Sequence, residues 1–219
     1  MVTMNFILFL LISPPILLMT LLVERKARLL LVFMAFGIFS AYLSGQINSV
    51  ISAYVEVSAF DLSIHVAPVV EEFLKAFPVV VFFFAFKPDS HYILGCAVCT
   101  GLGFAFFENA WAFSQSVSWY PTWQDVSFAL SRGFGASMVH SICTLIIIYC
   151  LYICSKTRKL LITGTLASFS LICTIHSLFN VLIQSRYAAA PFILTIGIYA
   201  VLLWLSIKKK LSKKGEKKQ

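Results

Sequence analysis

The stretch "HVAPVVEEFLKAFPVVVFFFAF", residues 65–86, has the length and apolarity of a membrane span, yet Glu71, Glu72 and Lys75 lie inside it. Each such charge costs at least about 2.5 kcal/mol at the centre of a bilayer helix. Ionisable side chains in a span normally face a bundle interior or a water-filled cavity, and they are functional candidates by default. The remainder of the chain supplies the reason for keeping them.

Composition sets the class. Of 219 residues 60% are hydrophobic and 12% charged, against roughly 25% charged in soluble domains, and the mean hydropathy is +0.91. The expected fold is all-α, a polytopic transmembrane bundle. Apolar runs long enough for about 30 Å of hydrocarbon predict about seven spans, at Asn5–Val23, Leu29–Ile51, Ile64–Phe86, Tyr92–Phe113, Phe128–Ile153, Leu160–Ile183 and Pro191–Ile207. Residues 1–207 read as one transmembrane domain with a core near 64–183, and residues 208–219 as a polybasic tail. The charges Glu24 to Arg28 follow the first apolar run rather than precede it, unlike a cleavable signal peptide.

Arg25, Lys26 and Arg28, then Lys87, then Lys156, Arg158 and Lys159, and finally Lys208 to Lys218 follow alternate spans. The positive-inside rule puts these on the cytoplasmic side, so the N-terminus is expected outside and the C-terminus in the cytoplasm. Arg186, and Arg132 at a span edge, run against that rule. The net charge of +8 then reads as topology signal and a tail beside anionic lipid, and no folded nucleic-acid reader accompanies it. Cys96, Cys99, Cys143, Cys150, Cys154 and Cys173 fall in or at the ends of predicted spans, where they read as small packing residues.

Four consecutive predicted spans carry ionisable residues. The third has Glu71, Glu72 and Lys75; the fourth, "GLGFAFFENAWAF", has Glu108 and Asn109; the fifth has His140; the sixth, "TIHSLFNVLI", has His176 and Asn180. At 1.5 Å per residue, Glu72 lies about 12 Å from the outer end of its span, Glu108 about 8 Å and His176 about 10 Å. His140 falls near 18 Å unless its span begins around Arg132. The four helices therefore aim at one level in the outer half of the bilayer. Glu71 and Lys75 are spaced i, i+4, in the order that favours an ion pair, and Glu72 is turned about 100° away. Gly101, Gly103 and Ala105 let their helix approach its neighbours closely.

Three carboxylates against one ammonium leave an excess of negative charge that a low dielectric does not tolerate. Either protons bind there or a divalent cation does. Two histidines and a carboxylate suffice for catalytic zinc with a position left for water, and a further glutamate can act as general base. A metal-free glutamate–histidine pair with oxyanion donors is the other route. Both lead to hydrolysis.

Glu71-Glu72-x-x-Lys75, "GFAFFEN" at Gly103–Asn109, His140 and His176-x-x-x-Asn180, in that order and each on its own span, resemble the PrsW family of intramembrane proteases. That family is distantly related to the prenyl-protein (CAAX) endopeptidases, the bacteriocin-processing enzymes and the APH-1 subunit of gamma-secretase. The resemblance implies site-1-type proteolysis of a membrane protein, such as a single-span anti-sigma factor, in a bacterial cytoplasmic membrane. It implies that Glu71 and Glu72 polarise water or help bind metal, and that Glu108 and His140 complete the site. His176 with Asn180 binds metal or steadies the oxyanion, and Lys75 balances charge. His140, His176 and Glu108 are the expected zinc ligands. The family's second motif usually has an aromatic residue four places after its glutamate; this chain has Ala112, flanked by Trp111 and Phe113. The alternatives are a non-catalytic scaffold of a membrane complex, as the APH-1 relationship suggests, and a proton- or cation-coupled transporter using the same acids.

Overall fold

The computed structural model describes residues 23–116 and 122–185, together with the single positions Phe9, Ile193 and Gly197. Every regular element among them is helical. In chain order they are α1 (Arg25–Tyr54), a short α2 (Ala59–Asp61) leading through a π-helical turn (Leu62–Val66) into α3 (Ala67–Phe86), then α4 (Ser90–Ser116) and α5 (Trp123–Ser131). A second π-helical turn (Arg132–Ala136) joins α5 to α6 (Ser137–Cys154), and a 3-10 turn (Arg158–Leu160) precedes α7 (Leu161–Gln184).

Among the described residues, four helices are long and apolar enough to cross a membrane: Ala27–Tyr54, Ser90–Gln115, Arg132–Cys154 and Leu161–Gln184. They coincide with four of the seven predicted spans. The expected spans Asn5–Val23 and Pro191–Ile207 and the polybasic tail lie outside the described residues. The predicted span Ile64–Phe86 does form a helix, but Glu71, Glu72 and Lys75 put three charges inside α3 rather than at its end. Its position accounts for them. α3 packs against α1, α4, α6 and α7, so it has protein on most sides.

The helix is polarised accordingly. Val69, Phe73, Phe77, Val81 and Phe84 are exposed, whereas Glu72, Lys75, Ala76, Val79 and Phe83 are buried. Spacings of three and four residues put each set on one face, so the apolar face looks out and the charged face looks in. Pro78 stands inside the helix and cannot donate to the Leu74 carbonyl four residues back. The hydroxyl of Ser40 on α1 donates to that carbonyl instead, at 3.0 Å. The proline is thereby tolerated, and α1 is tied to α3 at the turn that carries Glu72 and Lys75. Lys87, with φ 46°, ends the helix in a left-handed cap directly before Pro88.

Glycines set the interhelical distances around α4. A Cβ on Gly37 of α1 would run into the Thr100 carbonyl, and one on Gly103 into the Met34 carbonyl, so α1 and α4 touch backbone to backbone. A Cβ on Gly101 would come within 2.6 Å of the His140 carbonyl on α6. Close approach on two faces of one helix is what Gly101 and Gly103 were expected to supply, and α4 is pinned between α1 and α6. Buried Ile93, Cys96, Ala97, Cys143, Ile147, Ile148 and Ile172 fill the half of the bundle nearer the α6–α7 connection. All six cysteines are free thiols.

Candidate active site

Two irregular turns aim the site residues. A π-helical turn inserts one extra residue, re-aims all that follows, and leaves carbonyls without their usual α-helical donors. In the first of these turns the Ser63 carbonyl accepts from Asn180 Nδ2 (2.9 Å) and the Ile64 carbonyl from the Ser177 hydroxyl (2.7 Å), both on α7. In the second, the Arg132 carbonyl accepts from Asn109 Nδ2 at 3.1 Å, on α4. Each distorted turn is held by an asparagine from the neighbouring helix. Asn180, expected as an oxyanion donor or ligand, directs its amide Nδ2 to a backbone carbonyl here.

Glu72 and Lys75 are fully buried. Lys75 Nζ donates to Glu72 Oε1 at 2.6 Å and to His140 Nδ1 at 2.6 Å, and it lies 4.4 Å from the centre of the Phe104 ring. The expected Glu71–Lys75 pair is therefore replaced by Glu72–Lys75, at i, i+3. Both spacings are open to a lysine on a helix. Glu72 wins because His176 Nδ1 also donates to its Oε1, at 2.7 Å, so the buried carboxylate faces two donors at once.

An ammonium has no acceptor, so His140 Nδ1 must supply the lone pair. His140 Nε2 then carries the proton and donates to Glu108 Oε2 at 2.6 Å; this tautomer follows from the hydrogen-bond pattern. Arg132 Nη2 donates to the other Glu108 oxygen at 2.7 Å, and its Nε donates to Asn109 Oδ1 at 3.1 Å. Both oxygens of Glu108 are thus engaged. Arg132, read from sequence only as a topology charge at a span edge, turns out to be the counter-ion of Glu108. A signal was available: two helical turns with one extra residue from the π turn span about eight residues, which sets Arg132 above His140.

The carboxylate that forms a ligand-sized group with both imidazoles is Glu71, where Glu108 was expected. Ligand atoms of Glu71, His140 and His176 all lie within 4.8 Å of one another, and the two histidine rings meet edge to face at 4.9 Å. Glu71 Oε2 has no hydrogen-bond partner and stands 3.6 Å from His176 Nε2. With a single ring proton, on Nδ1, His176 keeps a lone pair on Nε2. Two electron-pair donors therefore face each other at 3.6 Å, too far for a hydrogen bond. A tetrahedral centre with bonds of 2.0–2.1 Å has ligand–ligand edges of about 3.4 Å, so this pair fits zinc. The imidazoles are also prepared as zinc ligands usually are, each with its other nitrogen free to bond a carboxylate: Glu72 for His176, Glu108 for His140. His140 has both nitrogens engaged and offers Nδ1 to a metal only where Lys75 releases it.

On three of the four helices the site residues lie equally far from the helix end. Counting from the ends of α4 (Ser116) and α7 (Gln184) and from the start of the Arg132–Cys154 span, Glu108, His176 and His140 each lie about 12 Å in. The span beginning at Arg132 removes the deeper placement that a start at Phe128 gave His140. A cavity of about 690 Å³ leads to this level, with Ser44, Asn48, Glu71, Glu108, Trp111 and Asn180 in its walls.

A family model described as PrsW family intramembrane metalloprotease matches residues 25–207, most of the chain. Comparisons with curated proteins and with solved structures give no match.

Proposed function

The chain belongs to the PrsW family of intramembrane metalloproteases, and on that basis we propose that it is an endopeptidase cutting a peptide bond in a single-span membrane protein, with Glu71, His140 and His176 at the reacting centre. The observation that carries this reading is the Glu71 carboxylate. It lines the cavity, has a buried oxygen without a hydrogen bond, and is the one acid of the three with neither Lys75 nor Arg132 against it. Glu72 and Glu108 are both bound by cations; Glu71 is left for chemistry.

Glu71, His140 and His176 would hold zinc, which when bound supplies Lewis acidity and lowers the pKa of water. The second oxygen of the Glu71 carboxylate takes the proton of the water that adds to the scissile carbonyl, and gives it to the departing nitrogen. The C–O bond forms, the C–N bond breaks, and the products are a carboxyl and an amine terminus. Glu72 holds the His176 ring, Glu108 with Arg132 holds the His140 ring, and Lys75 keeps the buried Glu72 neutralised. With the N-terminus outside, the common depth of these residues lies in the outer half of a bacterial cytoplasmic membrane. A first cut near the extracytoplasmic end of a substrate span follows, and the PrsW resemblance makes a single-span anti-sigma factor the first substrate to try.

The test is cleavage of a mixed set of synthetic single-span peptides by the purified chain in liposomes, read by mass spectrometry. Glu71→Gln is expected to lower turnover at least about 100-fold while the protein still accumulates and melts as wild type. Undiminished cleavage would refute the assignment. Elemental mass spectrometry should find about one zinc per chain, lost in His176→Ala; equal zinc in both would remove His176 from the ligand set.

A further inference from the structure

The cavity above Glu71 holds two polar atoms that the proposed chemistry does not use. Trp111 Nε1 and Asn48 Oδ1 are both buried and both lack a hydrogen-bond partner, and both residues line the cavity. The nearby hydroxyls are not equivalent to them. Ser44 donates to the Ala41 carbonyl and Ser49 to the Gly45 carbonyl, each within α1. Gln46 Nε2 is also unpartnered, but it does not line the cavity. What remains is one donor that cannot accept and one acceptor oxygen on facing helices, the complement of a peptide group.

A substrate span creates a need for such a pair. In a helix every interior N–H and C=O is bonded along the chain, and an unwound residue in the bilayer leaves those groups without partners at several kcal/mol each. At 10–12 Å across, one turn of helix occupies roughly the volume of this cavity, so only a few unwound residues fit. Trp111 lies one turn, about 4.5 Å, beyond Glu108 toward the end of α4. An extended chain rises about 3.3 Å per residue, so a segment lying along the cavity wall at Glu108, which Glu71 shares, reaches Trp111 one or two residues on.

We infer that Trp111 and Asn48 form a backbone-binding subsite that holds the substrate unwound, the indole N–H donating to a peptide carbonyl and the Asn48 oxygen accepting a peptide N–H. They are positioning residues, and the inference rests on the endopeptidase reading above. The contacts are to backbone, so the subsite selects a segment that unwinds readily rather than a particular side chain.

The experiment uses the same set of single-span peptides in liposomes, with KM and kcat measured on the best-cleaved peptide. Trp111→Phe and Asn48→Leu are each expected to raise KM about fivefold, the value of one neutral hydrogen bond, with kcat nearly unchanged; Asn48→Asp, which keeps the oxygen, should raise it less. An amide-to-ester scan of that peptide on the wild-type protein tests the same contacts without any protein change. One ester placed one or two residues beyond the cut should raise KM, and its effect should vanish in the Asn48→Leu background. Unchanged KM in the variants, or an ester scan flat outside the cut bond, would overturn the subsite and leave the endopeptidase reading intact. A fall in kcat at constant KM would also overturn it. Failure of the wild type to cut any peptide would overturn the endopeptidase reading, and the subsite with it.

Discussion

Replacing Glu72 by Gln removes the charge opposite a lysine ammonium that no water reaches. Glu72 and Lys75 are 0% exposed and 2.6 Å apart. At an effective dielectric of about 20 their attraction is about 6 kcal/mol, and breaking a buried pair by removing one partner costs about 3–5 kcal/mol. Glutamine keeps an oxygen that accepts from Lys75 Nζ and His176 Nδ1, and Lys75 keeps His140 Nδ1, so the lower end, about 3 kcal/mol, applies. For a chain of this size that is a fall of about 6–12 °C in the apparent melting temperature. The assay is thermal loss of the monodisperse peak in detergent for wild type, Glu72→Gln, Lys75→Met and the double variant. Removing both charges leaves no unpaired ion, so the double variant should recover to within about 1 kcal/mol of wild type, a coupling of at least about 2 kcal/mol. Additive losses, or a Glu72→Gln melt within about 2 °C of wild type, would refute the pairing argument. The same result separates the two adjacent acids: Glu72→Gln destabilises, whereas Glu71→Gln leaves the fold alone and removes activity.

Ser40→Ala strips the donor from the Leu74 carbonyl and should lower stability by about 1–2 kcal/mol; adding Pro78→Ala, which restores a backbone N–H, should recover most of it in the same melt. Gly37→Ala drives a Cβ into the Thr100 carbonyl and should abolish accumulation of folded protein, whereas Gly133→Ala, with open space around it, should change stability by less than about 0.5 kcal/mol. Both are read by yield and melting of the detergent-solubilised protein. Arg132→Gln frees one Glu108 oxygen and should cut peptide turnover at least about tenfold. Arg132→Lys should not restore it, because one ammonium does not reproduce a guanidinium that reaches Glu108 through Nη2 and Asn109 through Nε.

The helices and the list of polar residues were legible early because both are local properties. Apolar length places a span, and a charge inside a span is conspicuous wherever its partner lies. The four motif-bearing segments are helices in the structure, and their ionisable residues do meet. The partners were harder. Periodicity put Lys75 against Glu71, an interaction within one helix, while the structure puts it against Glu72, with His140 and His176 arriving from α6 and α7. Arg132 looked like an exception to a topology rule because its use depends on Glu108, 24 residues earlier on another helix. Asn180 looked chemical because a hydrogen-bonding side chain one turn from a histidine invites that reading; the carbonyls that it and Asn109 cap exist only once the helices carry π turns.

Sequence alone determined that the chain is a helical membrane bundle and which helices carry acids and imidazoles, since hydrophobic length and a charge inside a span need no knowledge of neighbours. Tertiary structure decided which carboxylate stands free beside the histidines. That choice depends on how far each helix is rotated and how closely it approaches the next. The backbone contacts at Gly37, Gly101 and Gly103 and the two π turns fix those quantities. A rotation of 100° separates consecutive residues on a helix, and the packing of α3 among its four neighbours is what leaves Glu71, rather than Glu72, facing the cavity.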